Sequence, residues 1–229
     1  MGQHLSCCYR APETSEQLIQ VANFSDSPAA LFYSTNHTKL LPSLKDLYTK
    51  FLRKDSNSIS KLELKDTELS ELDCISLSKL IPELKNLSEL VLINNNLGTT
   101  GMNYLTDHTS TMTNLETLVL SSNQINDQCM EMICPTLPFL LNLKLINFSH
   151  NEIGDKGIEL ITHEVESLGN LEEIDLRHNQ AGPSSLLALA NELKKIESFR
   201  KFRVAGNKLS EKDLKKFTKM FPESESEDS

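Results

Sequence analysis

Apolar and polar residues along this chain follow a pattern that returns every 28 residues. From Ile59, Leu87, Leu115, Leu143, Leu171 and Phe199, each copy runs apolar, two variable, apolar, one variable, apolar, two variable, Asn, one variable, apolar. The copies read ISKLELKDTEL, LSELVLINNNL, LETLVLSSNQI, LKLINFSHNEI, LEEIDLRHNQA and FRKFRVAGNKL, with no insertion or deletion between them. Apolar offsets 0, +3 and +5 straddle a short strand, and offsets +2, +4 and +6 point to its other face. A second apolar column at +15, +18, +22 and +25 predicts one face of an α-helix. It reads Cys74/Leu77/Ile81/Leu84, Met130/Ile133/Leu137/Leu140, Ile158/Ile161/Val165/Leu168 and Leu186/Leu189/Leu193/Ile196. Met102, Leu105 and Met112 keep the spacing with Thr109 as the polar exception, and Leu214, Phe217 and Phe221 keep it in the last copy. Asp127 and Asp155 stand where helix N-caps are expected, and Pro183 suits a first turn. Each unit is therefore strand, turn, helix.

Self-similarity at this period predicts stacked units that share one continuous core. The unit resembles the ribonuclease-inhibitor-like leucine-rich repeats, and NEIGDKGIELI (Asn151 to Ile161) is the stretch nearest their consensus. The resemblance covers residues 59–221. It implies an α/β fold, a right-handed leucine-rich-repeat solenoid or horseshoe with a parallel β-sheet on the concave side and α-helices on the convex side. That family includes ribonuclease inhibitor, the Ran GTPase-activating protein, the repeat region of NOD-like receptors and the C-terminal domain of tropomodulins. It therefore implies a surface for recognition and leaves the partner open. The Asn column (Asn95, Asn123, Asn151, Asn179 and Asn207, with Thr67 in the first copy) reads as buried amides pairing with backbone where the strand turns away.

The ends depart from the pattern. Leu41, Leu44, Leu47, Tyr48, Phe51 and Leu52 form an amphipathic segment, so residues 13–58 read as a helical cap or degenerate repeat, with a short helix around Glu13–Ala22. Residues 1–12 read as a flexible leader, and the acidic stretch 222–229 as a disordered tail.

Charge and composition narrow the function. A formal net charge of −9 argues against nucleic acid as a partner, which needs a basic face. No apolar run reaches the ~18 residues of a membrane span, and the N-terminus lacks a secretory h-region. Five cysteines are an odd number for a disulfide framework, so Cys74, Cys129 and Cys134 read as reduced, intracellular packing residues. The N-x-S/T matches at Asn23, Asn36, Asn86 and Asn147 would matter only in a secreted chain.

The motif with most chemistry is MGQHLSCC. Gly2 behind the initiator Met, with Ser6 four residues on, fits N-myristoylation, which needs an unhindered α-amine. A single myristoyl chain binds membranes weakly, with an association constant of ~10⁴ M⁻¹. Cys7 and Cys8 supply sites for palmitoylation as a second anchor. These residues predict attachment to the cytoplasmic face of a membrane. On the strand face, Val91, Ile93, Val119 and Leu145 form an apolar patch flanked by charged rows that include Glu173, Asp175, Arg177 and Arg203. An apolar centre with a charged rim is interface anatomy. The bland alternative is that β-propensity alone favours Val and Ile there. His150 and His178 share offset +7 without a third ligand in their column, so they read as exposed turn residues and no metal site is expected. Ser224, with Glu225 and Glu227 at +1 and +3, suits an acid-directed kinase. No catalytic constellation and no cofactor is expected. The leading expectation is a monomeric, membrane-tethered, non-enzymatic protein-binding module. A GTPase regulator and an actin-binding protein are the alternatives.

Overall fold

A computed structural model of the chain describes residues 27–52 and 59–225. Six strands, β1 (Lys61–Lys65), β2 (Glu89–Ile93), β3 (Thr117–Val119), β4 (Leu145–Asn147), β5 (Glu173–Asp175) and β6 (Lys201–Arg203), form one sheet in sequence order. Every pair is parallel, and register partners are one repeat apart, as in Leu62↔Leu90↔Leu118↔Ile146↔Ile174↔Phe202. That row is buried and faces the helices. The helices are α1 (Pro28–Asn36), α2 (Pro42–Lys50), α3 (Glu71–Leu80), α4 (Gly98–Thr106), α5 (Asp127–Ile133), α6 (Asp155–Glu164), α7 (Pro183–Leu193) and α8 (Glu211–Met220). A helix with its side chains is ~10 Å wide and a strand needs only ~4.8 Å, so stacking one of each per repeat puts the sheet on the inner curve. The predicted solenoid is the observed one.

The second apolar column is buried except for half-buried Ile196 and Leu214, and in the first four repeats its last two positions lie past the α-helix. Ile81–Glu83, Thr109–Thr111, Cys134–Phe139 and Val165–Ser167 are 3₁₀ turns. Pro135 lacks an N–H for the α ladder, and α5 stops after seven residues. These turns build the junction between repeats. Leu84, Met112, Leu140 and Leu168 donate N–H bonds to carbonyls three residues back, and Leu87, Leu115, Leu143 and Leu171 do so again. The polar exception is satisfied locally: Thr109, 1 % exposed, donates its hydroxyl to the Leu105 carbonyl at 3.0 Å.

The Asn column is a ladder between repeats. Asn123 Nδ2 donates to the Leu92 carbonyl (2.6 Å), and its Oδ1 accepts the Asn95 N–H (3.0 Å). Asn151 repeats this with Leu120 O and Asn123 N, and Asn179 and Asn207 continue it. Each amide satisfies backbone groups of the preceding repeat, where the strand has ended and no ladder bond remains.

The acid positions correct the sequence reading. Asn126 caps α5, while Asp127 accepts N–H bonds from Gly154 (2.7 Å) and Gly157 (3.0 Å) at the start of α6. Asp155 does the same for α7, accepting from Gly182 N–H and Ser185 Oγ–H, and these bonds hold its carboxyl below the usual carboxylate range. Both aspartates cap the next repeat's helix instead of their own, and Gly154 and Gly182 bring the backbone close enough for it.

The N-terminal cap is a helix pair with no strand among residues 27–52. Tyr33 of α1 stacks on Tyr48 of α2 with ring centroids 4.7 Å apart. Tyr48 donates its hydroxyl to the Ser76 carbonyl (2.8 Å), and burial pushes its phenol up to about 12. Leu44 and Tyr48 are fully buried, and Leu41, Leu47, Phe51 and Leu52 pack at the rim of the core. The expected helix at Glu13–Ala22 lies outside the described residues. At the other end, residues 222–225 form a 3₁₀ turn, so the expectation of a disordered tail from 222 is corrected there. Ser224 Oγ accepts the Phe202 N–H at 2.8 Å, which ties the turn to the edge of the sheet.

Candidate recognition face

Offsets +2, +4 and +6 leave the sheet on the side away from the helices, because neighbours along a strand alternate faces. The register makes three cross-strand rows. One runs Lys61–Glu89–Thr117–Leu145–Glu173–Lys201, and the next runs Glu63–Val91–Val119–Asn147–Asp175–Arg203. The third begins with Lys65 opposite Ile93. Val91 and Val119 are direct register partners. Leu145 lies one row away beside Thr117, and Ile93 is two residues further along β2. Ile93, Val119 and Leu145 are half-buried and open to solvent, but Val91 is only 7 % exposed. Val91 therefore underlies the patch and offers little area of its own, which corrects its place among contact residues.

Charges flank the apolar centre and satisfy one another. On the β1 side Lys61 pairs with Glu63 (3.1 Å) and Glu89 (3.3 Å), and Lys65 pairs with Glu63 (2.5 Å). On the β6 side Arg203 pairs with Glu173 (2.7 Å), and Arg177 with Asp175 (2.8 Å). Asp175 is 1 % exposed and takes both Nε and Nη2 of Arg177 as well as its backbone N–H. It is an internal strut, a second correction, and Arg177 is the member of that pair that reaches the surface. The pairs on the β1 side are exposed and contribute little to stability, ~0–1 kcal/mol each, whereas those on the β6 side are largely buried. Their effect here is to fix where each sign of charge stands.

The offset +7 column runs along the rim of this face. Asp66, Asn94, Ser122, His150, His178 and Gly206 all have positive φ, from 52° to 75°. Polar residues and Gly tolerate that left-handed turn better than bulky ones do. His150 and His178 stack with centroids 4.2 Å apart and rings 17° from parallel, and both are exposed. Partial burial, with His178 and Arg177 nearby, holds the His150 pKa below the usual imidazole value. Among the described residues, no group of three or more His, Cys, Asp or Glu is placed to hold a metal ion. Cys74, Cys129 and Cys134 are free and buried, and burial raises all three thiols, Cys74 to about 11 and Cys134 to about 12. They are packing groups.

Two hollows adjoin the face. A polar one of about 440 Å³ lies over Asp66, Glu68, Asn94, Asn96 and Gln124, on the turns that follow β1 to β3. The other, about 410 Å³, lies beside β6 between Arg177, Arg203, Leu214, Thr218 and Ser224. Sequence reasoning missed both, although the residues of the first recur at offsets +7 and +9. It also missed a second ladder at the repeat junctions, where Asn114, Asn142 and Asn170 donate to Lys85, Thr113 and Leu141 carbonyls at 2.8–2.9 Å. Gly2, Cys7 and Cys8 lie outside the described residues. No helix among those described is long and apolar enough to cross a membrane.

A family model and one solved structure agree with this architecture. The family model described as "Leucine Rich repeat" matches residues 111–134 and 140–161. No curated protein matches. Among solved structures, "Leiomodin-1 Actin-Binding Site 2 (ABS2)" is similar at a TM-score of 0.52 and 17 % identity, covering 67 % of this chain and 89 % of that one. An internalin (inlF) from Listeria monocytogenes str. 4b F2365 aligns at a TM-score of 0.30 and 15 % identity, over 73 % of this chain and 75 % of that one.

Proposed function

We propose that this leucine-rich-repeat solenoid is a non-enzymatic, monomeric protein-recognition module that binds its partner on the sheet face. Repeat solenoids of this kind typically present surfaces for protein–protein interaction. One observation carries the reading: Ile93, Val119 and Leu145 stand open at the centre of the face, between two blocks of paired charge. Apolar side chains released from water at the middle, with charges that set register at the rim, match the anatomy of specific interfaces. Leu145→Asp places a carboxylate in that centre without touching the buried row. It should abolish partner capture while the far-UV spectrum and thermal midpoint stay near wild type; undiminished capture would remove the claim.

N-terminal acylation at Gly2, with Cys7 or Cys8 as the second anchor, is proposed to hold the module on the cytoplasmic face of a membrane. Metabolic labelling with an alkynyl myristate tests it. Gly2→Ala should lose the label and shift the protein from the membrane pellet to the supernatant, and unlabelled wild type would dismiss the proposal.

A second reading is actin binding. It is supported only by likeness of fold to the leiomodin-1 structure whose title names an actin-binding site. Co-sedimentation with filaments, and pelleting assays with monomer, decide it. The GTPase-regulator reading has less support, because Arg177 and Arg203 are engaged by Asp175 and Glu173, whereas a catalytic arginine must reach a transferring phosphate.

A further inference from the structure

The last strand of a solenoid leaves one row of backbone groups facing outward. Within the array these groups are taken by the next repeat: Leu120, Phe148 and Leu176 donate N–H bonds to the Asn147, Asp175 and Arg203 carbonyls at 2.8–2.9 Å. The equivalent side of β6 meets no strand among the described residues, and Phe202 lies on it two residues before Val204. Its N–H donates instead to Ser224 Oγ at 2.8 Å. One hydroxyl thus replaces a seventh strand at this position. The turn that carries it is held by Ser224 N–H to the Phe221 carbonyl (3.1 Å) and by edge-to-face contacts of Phe221 with Phe199 and Phe202.

We propose that Ser224 is the acceptor of an acid-directed protein kinase, and that its phosphorylation releases this latch from the β6 edge. Glu225 and Glu227 supply the acidic context on the C-terminal side. In the transfer, Oγ forms a bond to the γ-phosphorus of a nucleoside triphosphate. The bond from that phosphorus to the β-phosphate oxygen breaks, the nucleoside diphosphate leaves, and the hydroxyl proton passes to the kinase's base. The product carries roughly −1.5 to −2 charge. The nearby guanidiniums are already engaged, Arg177 by Asp175 and Arg203 by Glu173, and Glu223 and Glu225 flank the serine. A phosphate therefore meets committed cations and like charges, and the turn leaves Phe202. What it uncovers is the outward Phe202 N–H beside the 410 Å³ hollow.

The inference stands apart from binding on the sheet face. Its test treats the full chain with a purified acid-directed kinase and ATP, locates phosphate by mass spectrometry, and follows amide hydrogen exchange at residue 202. Phosphate on Ser224 with exchange at the Phe202 amide faster by about tenfold, the loss of one ~1.4 kcal/mol bond, supports it. Ser224→Ala should show the same fast exchange without modification, and Ser224→Thr should keep the slow exchange. Phosphate confined to Ser226 or Ser229 overturns the acceptor assignment. Phosphate on Ser224 with unchanged or slower exchange overturns the release. An unchanged thermal midpoint for β1 to β5 probes, in every variant, shows that the effect belongs to the edge and not to loss of fold.

Discussion

Replacing Asn123 by alanine tests the internal ladder where it is most enclosed. Asn123 is 0 % exposed, and its amide serves two backbone groups that nothing else in the repeat reaches, the Leu92 carbonyl and the Asn95 N–H. A third acceptor, the Ser121 carbonyl, still takes the Asn94 N–H, so it is not orphaned by the change. Two buried polar groups left without partners cost ~1–3 kcal/mol each, so the expected loss is about 4 kcal/mol. That is a large share of the ~5–15 kcal/mol of a typical domain. Urea unfolding followed by circular dichroism reads it as a fall in midpoint. Asn207→Ala is the internal control: its amide also bridges repeats, to Leu176 O and Ala181 N, but it lies half-buried at the open end, where water substitutes more readily. Its loss should be at most half as large and should appear as fraying of the last repeat. A loss below about 1 kcal/mol for Asn123→Ala, or equal losses for the two, would refute the argument that the column works by satisfying buried backbone.

Further outcomes follow from other contacts. Asp127→Ala removes the acceptor of two α6 N–H groups and should cost about 1 kcal/mol by thermal denaturation, with Asp127→Asn recovering part of it. Gly206→Ala forces a Cβ to within 2.5 Å of His178 Nδ1 at a φ of +75°, so the ring must leave its stack; about 2 kcal/mol of stability should be lost, seen in the urea midpoint. Because the folded pKa of His150 lies below its unfolded value, the unfolded chain binds more protons between the two, and stability falls as pH drops through 6.5 toward the lowered value. Thermal midpoints at pH 7.5 and 5.5 should therefore converge in His150→Asn, whose side chain tolerates the positive φ, relative to wild type; an unchanged gap would show that the histidine stack does not sense protons.

Much of the fold was legible because a solenoid repeats its physics. Each 28-residue unit carries the same apolar offsets, so the sheet order, the Leu62-to-Phe202 buried row and the Asn ladder could be read without any long-range information. What was misread lies between units. Asp127 looks like a cap for its own helix, and only stacking brings it to Gly154 and Gly157. The 3₁₀ junctions share the i, i+3 spacing of an α-helix, so periodicity alone does not separate them. On the recognition face the alternation rule located Ile93, Val119 and Leu145, but depth depends on neighbours across the sheet. Val91 and Asp175 were therefore counted as contact residues when one is nearly covered and the other is clasped by Arg177. Tyr33 in α1 and Ser224 at the tail carry no periodic signal. Their roles come from the two ends of the array, where a repeat meets something other than a repeat.

The central claim, that the open apolar centre of the sheet face receives a protein partner, is tested most directly by site-specific photo-crosslinking in the native cell. A photoreactive residue at Ile93, in wild-type and Leu145→Asp backgrounds, is compared with one at exposed Glu159 on α6. The account predicts a discrete crosslinked species from position 93 that disappears with Leu145→Asp and is absent from position 159. Crosslinking that arises only from position 159, or that survives Leu145→Asp unchanged, would contradict it.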